Sequence, residues 1–323
     1  NYSSVKEHAS KVLDVLNDQS TRGQILKLPE SEARRRYSQL VVASLGAIRK
    51  DKPGGIVTAR VLFDGTNGIP VNRRTRLRDQ ERAPVASDLK RVMREKARRG
   101  ERTFSLTADV AEAHRQVPID KRDWHLLGCQ VEAGGDVFIN TVGTFGVASA
   151  SYYWSRVAAS IGRLTQYISG RTSTTWHQLV ADDFHLEASG PRYRAALISF
   201  FVLCATAGVP LSWRRTAGGD VVTWVGFELL HRTHQLGISE RRAEWFMRWT
   251  RQVASSSSVN VSSFEEGLSR VMYVAGALEY ERPFLGPLYR FLSLHPRNSV
   301  RLVPACVKFF LSHLAAQIEI SRH

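Results

Sequence analysis

Polar and apolar positions along the chain follow two different periods, interleaved over most of its length and helical alone toward the end. Residues 5 to 16 and 31 to 48 place apolar side chains at helical spacing, and "RKDKPGG" (49 to 55) breaks that pattern before "IVTARVLFD", which predicts a strand. Strand-like segments recur at "RTFSLTAD", "DVFINTV", "HQLVADDFHLEA" and "DVVTWVGFELL", with helical stretches at 147 to 166 and 191 to 207 between them. This interleaving of sheet and helix continues to about residue 238. After Ser239 the strand pattern stops: "SERRAEWFMRWTRQVA" has helical period, and "SSSSVN" reads as a polar linker. "SSFEEGLSRVMYVAGALEY" then opens a further helix, with Ser263 and Glu266 at capping-box spacing. The pattern predicts an α+β region followed by a helical subdomain.

Composition adds a partner class. With 323 residues, 43% of them apolar, the chain is long enough to bury a core and to divide into subdomains. Its 45 Lys and Arg against 30 Asp and Glu give a formal charge of +15, which favours a polyanion such as nucleic acid, with the anionic surface of a membrane as the competing explanation. Twelve of those cations and only five of the acids lie between Arg73 and Arg102. Within that stretch Ser87 is a candidate helix cap, Leu89, Val92, Met93 and Ala97 form an apolar face, and Gly100 is the stop. No apolar run approaches the roughly 18 residues of a spanning helix, so the expectation is a soluble, intracellular protein with no membrane partner. Cys129, Cys204 and Cys306 have no paired spacing, and His125, His177 and His185 have no HExxH arrangement, so no zinc site is expected. Because the chain starts at Asn1, the sequence reads as a piece of a longer polyprotein.

The candidate chemistry is acidic. In "HQLVADDFHLEA", Asp182 and Asp183 stand between alternating segments, at the tip of a predicted hairpin, and Asp is also a good turn former. "RTFSLTADVAEAHRQVPI" ends a second alternating strand on Asp109. Three carboxylates converging at strand ends would repel one another unless divalent cations neutralise them, and hard oxygen ligands suit Mg²⁺. Two such ions are a standard device for in-line phosphoryl transfer.

The order of blocks around these aspartates resembles the polymerase core of reverse transcriptases of retroviruses and retrotransposons. "RVLFDGTNGIPVN" (60 to 72) looks like their fingers strand, "TADVAEAHRQVPI" like motif A, "TFGVASASYYW" (144 to 154) like motif B and "LVADDF" like motif C. "GVPLSWRRT" (208 to 216) looks like motif D and "WVGFELL" (224 to 230) like the motif E hairpin that holds the primer. The resemblance implies an α+β right-hand polymerase fold: fingers over 1 to 102 and 119 to 143, palm over 103 to 118 and 144 to 238. A helical thumb would occupy 239 to 294, and 295 to 323 would begin a connection segment.

Carried to matching positions, the resemblance makes Asp109 and Asp182 the principal ligands of two Mg²⁺ ions, with Asp183 beside them and Mn²⁺ as a substitute. It assigns dNTP contact to Arg60, to Phe145 and Gly146, to Lys50 and Lys52, and to one of Arg214 and Arg215. His114 stands where the family commonly has the Tyr or Phe that excludes ribonucleotides, and Val180 where it usually has an aromatic residue. The implied activity is primer extension with dNTPs on an RNA or DNA template, with further polyprotein domains such as ribonuclease H as companions. The residues also leave open an RNA-dependent RNA polymerase and a catalytically inactive nucleic-acid-binding relic. A two-metal nuclease is disfavoured, since no further Glu/Asp cluster accompanies the three aspartates.

Overall fold

The computed structural model describes residues 1–52, 54–170, 174–320 and 322; the side chains of Lys52, Val274 and Glu279 lie outside that description. The chain is a mixed α+β structure that divides into two compact units. One comprises Asn1–Arg82, Val110–Arg163 and Cys204–Pro210, and the other Ala83–Asp109, Leu164–Leu203 and Leu211–His323.

In the first unit a four-stranded sheet runs in the order Ile25–Leu28, Val137–Asn140, Gly128–Gln130, Val42–Ala43, with the last pair parallel. A separate hairpin pairs Leu45–Lys52 with Ile56–Phe63. The helix expected over 31 to 48 is therefore corrected: it covers only Glu30–Arg36 and ends at Tyr37. Beyond that point Val42 and Ala43 pair with Gly128 and Cys129, and Leu45 onward pairs with the following strand. Pairing with Gly128 and Cys129, distant in sequence, and with the next strand in a hairpin overrides the helical period. The core of this unit gathers Val12, Leu16, Leu45, Phe63, Leu127 and Phe138.

In the second unit an antiparallel sheet has the order Ala217–Gly219, Thr103–Asp109, Asp183–Ser189, Thr174–Val180. The strands Val221–Trp224, Phe227–Leu230 and Gln235–Ile238 form a meander. Trp224, Phe227 and Leu229 share a core with Phe246 of Glu240–Ser255, Phe264 of Val261–Ala275 and Leu311 of Ala305–Ile320. Where the sequence suggests a polar linker, Ser258–Asn260 pairs with Val300–Leu302, so the strands do not stop at Ser239. The expected Ser263 cap is also displaced: the helix starts at Val261, and the Asn260 side chain accepts from the Ser262 and Ser263 N–H groups at 3.0 and 3.2 Å.

The basic helix runs Ala86–Arg98 and shows two corrections. Ser87 lies inside it, while Asp88 reaches back to accept from the Val85 N–H at 3.0 Å. Ala97 is exposed, and Lys96 is buried in its place, because 89, 92, 93 and 96 complete the i, i+3, i+4, i+7 stripe. Gly100, at φ +62°, ends the helix as its sequence position suggests. Among the described residues no helix is long and apolar enough to cross a membrane.

Candidate active site

The predicted hairpin around Asp182 forms with its register fixed by alternation. Val180 pairs with Asp183, which leaves Ala181 and Asp182 as a two-residue loop. Ala181 adopts φ +54°, a left-handed conformation that such loops usually give to glycine. Asp183 opens its strand directly opposite Asp109, the last residue of the neighbouring strand. Each of the three aspartates offers a carboxylate oxygen within 4.8 Å of the other two.

The electrostatics follow from that crowding. Asp109 is buried, and burial pushes its pKa up to about 6; Asp182 and Asp183 add to the rise, while Arg215 opposes it. Burial also raises Asp183, again reinforced by Asp182 and opposed by Arg215. Arg215 Nη2 lies 2.8 Å from Asp109 Oδ2, so of the adjacent arginines it is Arg215 that meets the carboxylates, although both side chains are exposed. The turn carrying Arg215 is anchored to the strand end, where the Asp109 carbonyl accepts from the Ser212 N–H at 2.8 Å. Three hard oxygen donors with a single guanidinium to offset them suit a divalent cation.

The carboxylate face of this sheet continues inward as a polar column that sequence reasoning did not single out. Thr107 faces His185, Ser105 faces Glu187 and Thr103 faces Ser189, and all six are buried. Alternation of this kind ordinarily turns its polar set to water; here both faces are covered. Burial pushes Glu187 up to about 7 against the attraction of Lys96, and it lowers His185 to about 3 and His231 to about 4. Lys96 Nζ donates to Ser189 Oγ at 3.4 Å. One signal was available in the sequence, a lysine on the apolar stripe of the basic helix.

Of the residues implied for nucleotide contact, the first unit brings Arg60, His114 and Phe145 together. The Arg60 guanidinium lies 4.9 Å from the centre of the Phe145 ring, and the His114 ring meets the same side chain edge-on at 4.9 Å. Gly146 has φ +96°, and a Cβ there would penetrate the Phe63 carbonyl oxygen, so only glycine fits. Phe63 N–H donates to the Phe145 carbonyl at 3.0 Å in the same close approach. Asn72, another residue missed in sequence, clamps this turn: its amide donates to the Gly146 carbonyl at 2.8 Å and accepts from the Ala148 N–H at 2.9 Å. Lys50 lies on the Arg60 side of the hairpin, since Ile48 pairs with Arg60 and Lys50 with Thr58. The Lys52 side chain lies outside the described residues.

A third feature belongs to the second unit. The hairpin between Trp224 and Phe227 turns through Val225 at φ +42° and Gly226 at φ +88°. The Val225 carbonyl accepts from Arg242 at 3.0 Å and from Tyr273 Oη at 2.9 Å, which holds a β-branched residue in an unfavourable conformation. Val225 and Gly226 line an open groove of about 1180 Å³ with Arg241, Arg242, Trp245, Arg248, Arg270 and Tyr273.

No protein-family model matches the chain, and no curated protein matches it in sequence. Solved structures do match. The foamy viral protease-reverse transcriptase dRH in complex with double-stranded DNA superposes with a TM-score of 0.68 at 14% identity, over 96% of this chain and 48% of that one. The foamy viral protease-reverse transcriptase with double-stranded DNA gives 0.68 at 13% identity, over 97% and 57%. The same enzyme with an RNA/DNA hybrid gives 0.66 at 14% identity, over 96% and 37%. The chain thus spans about half the length of these proteins or less, and shares their fold.

Proposed function

We propose that the chain is the polymerase core of a reverse transcriptase of a retroelement, an RNA-directed DNA polymerase that extends a primer 3′-hydroxyl with dNTPs. One observation carries the reading: on a reverse-transcriptase-like fold, Asp109 stands opposite Asp183, with Asp182 in the two-residue loop beside it, and the three carboxylates converge within 4.8 Å.

In this reading Asp109, Asp182 and Asp183 hold two Mg²⁺ ions, for which Mn²⁺ substitutes. When bound there, such ions would supply a Lewis acid for the primer hydroxyl and positive charge opposite the leaving pyrophosphate. Arg215, already paired with Asp109, is placed to follow negative charge as it moves to the polyphosphate. Arg60 and Lys50 bind the triphosphate of the incoming dNTP, and the aromatic edge of Phe145 and His114 meets its sugar. His114 is smaller than a Tyr and polar, so it excludes the 2′-hydroxyl weakly. The Val225 turn and the arginine-lined groove grip the primer–template through phosphates, so binding weakens steeply with salt. The fingers, palm and thumb boundaries implied by the ordered blocks complete the assignment.

The test is primer extension on an RNA template with dNTPs, with the unaltered protein beside Asp182→Asn. Activity in the first, lowered about a thousandfold or more in the second, is the expected outcome, since loss of a ligand removes the cation that stabilises the transferring charge. Equal extension by both proteins would sink the assignment.

A further inference from the structure

Behind the carboxylates the polar column contains a hydrogen-bond chain with one sense of direction. Gln178 Oε1 lies 3.0 Å from His185 Nδ1, and an amide oxygen can only accept, so that nitrogen carries the proton. His185 Nε2 is then an acceptor, and Ser105 Oγ donates to it at 3.1 Å. Ser105 Oγ in turn accepts from His231 Nε2. The four groups sit on three adjacent strands and on the residue that follows Phe227–Leu230; Trp224 stacks on the His185 ring with centroids 5.0 Å apart. His185 and Ser105 are fully buried, and His231 is 2% exposed.

The chain solves a problem that hydrophobic alternation cannot. Slipping one strand past another by one residue turns its apolar set to the wrong face and is strongly disfavoured. A slip of two residues keeps Phe184, Leu186 and Ala188 on the face shared with Phe104, Leu106 and Ala108, so the apolar side barely resists it. Such a slip would draw Asp183 roughly 7 Å along the sheet from Asp109 and scatter the carboxylates. It would also leave buried imidazole and hydroxyl groups without partners, which is where the resistance arises.

We propose that the His231–Ser105–His185–Gln178 chain is a positioning device for the carboxylates. It fixes the register of the three strands directly behind Asp109 and Asp183 and ties them to the 221–230 hairpin. None of its members touches a cation or substrate; they act through the aspartates. The proposal rests on the reading of Asp109, Asp182 and Asp183 as cation ligands.

The experiment measures cation binding on the full chain by Tb³⁺ luminescence, with Mg²⁺ as competitor, beside the Mg²⁺ half-saturation of primer extension. Ser105→Ala removes the central hydroxyl; Ser105→Thr restores one at the same position. His185→Phe keeps the stack on Trp224 and loses both hydrogen bonds. Ser105→Ala and His185→Phe, still folded by near-ultraviolet circular dichroism, are expected to bind Tb³⁺ about tenfold more weakly and to need correspondingly more Mg²⁺, the lower end of what loss of supporting hydrogen bonds costs at other metal sites. Ser105→Thr is expected to recover most of the affinity. Unchanged cation affinity in Ser105→Ala overturns the proposal, and so does equal Tb³⁺ binding by the unaltered protein and Asp182→Asn. If the unaltered protein binds Tb³⁺ through these aspartates yet extends no primer, the polymerase reading falls, while the binding isotherms still decide the role of the chain.

Discussion

Asp109, Asp182 and Asp183 are drawn together by strand pairing, whereas Arg60, His114 and Phe145 meet because a glycine turn lets one stretch of backbone pass close to another. The carboxylates are like charges crowded at a partly buried strand end, where Arg215 offsets part of their repulsion and a cation could offset more. The second group joins a cation to an aromatic ring that is 37% exposed, an arrangement that is favourable by itself. The cost at the first cluster is thus mainly electrostatic and at the second a close backbone approach, and mutations in the two should fail in different ways.

The sharpest separation comes from Gly146→Ala. A Cβ at φ +96° against the Phe63 carbonyl displaces the turn that presents Phe145, and we expect extension to fall about a hundredfold or more. Tb³⁺ affinity should stay within about twofold, because Asp109, Asp182 and Asp183, the proposed ligands, lie in the other unit; a parallel loss of cation binding would show that the two clusters are not independent.

Next in size is the buried polar face. Glu187 holds its proton to about pH 7 in the folded protein, against an ordinary value of 4.5. Between those values the folded state keeps a proton that the unfolded chain has released, so stability falls as pH rises through this window and levels off above it. The loss amounts to about 3 kcal/mol at most. Glu187→Gln should flatten the dependence of Tm on pH between 5 and 8 and match the unaltered protein near pH 5. An unchanged slope would mean that Glu187 is ionised in place, compensated by Lys96.

The smallest effect tests the loop itself. Ala181→Gly removes the penalty of a left-handed alanine and should stabilise the protein by about 1 kcal/mol, read as a rise in Tm. A fall in Tm would mean that glycine's greater freedom in the unfolded chain outweighs the relief.

Legibility differed between the two units for the same physical reasons. The carboxylate hairpin announces itself because a period of two, a turn former and charged residues at a strand end coincide over twelve residues of sequence. The helical period over 31 to 48 does not reveal that the helix ends at Arg36, because Val42–Ala43 pairs with residues far along the chain and Leu45–Lys52 with the strand that follows it, and neither pairing is visible in local periodicity. Asn72 reads as one more turn residue until its amide is found between Gly146 and Ala148. Lys96 was passed over because lysine is rarely fully buried, although its position on the stripe was regular. Arg214 and Arg215 are adjacent and identical in type, and only the three-dimensional arrangement, which brings Arg215 Nη2 to 2.8 Å from Asp109 Oδ2, tells them apart.

The pairing of Asp109 with Asp183 joins residues about seventy positions apart. Closing a loop of that length costs chain entropy before any contact rewards it, so this part of the sheet should form late in folding, after the local hairpins. The acidic cluster is then absent from early species on the pathway and comes into being only with the closed sheet. A cation selective for that sheet adds to the stability of the finished fold alone. Refolding in Mg²⁺ should therefore leave the folding rate nearly unchanged while slowing unfolding, which makes the ion a brake on the reverse reaction.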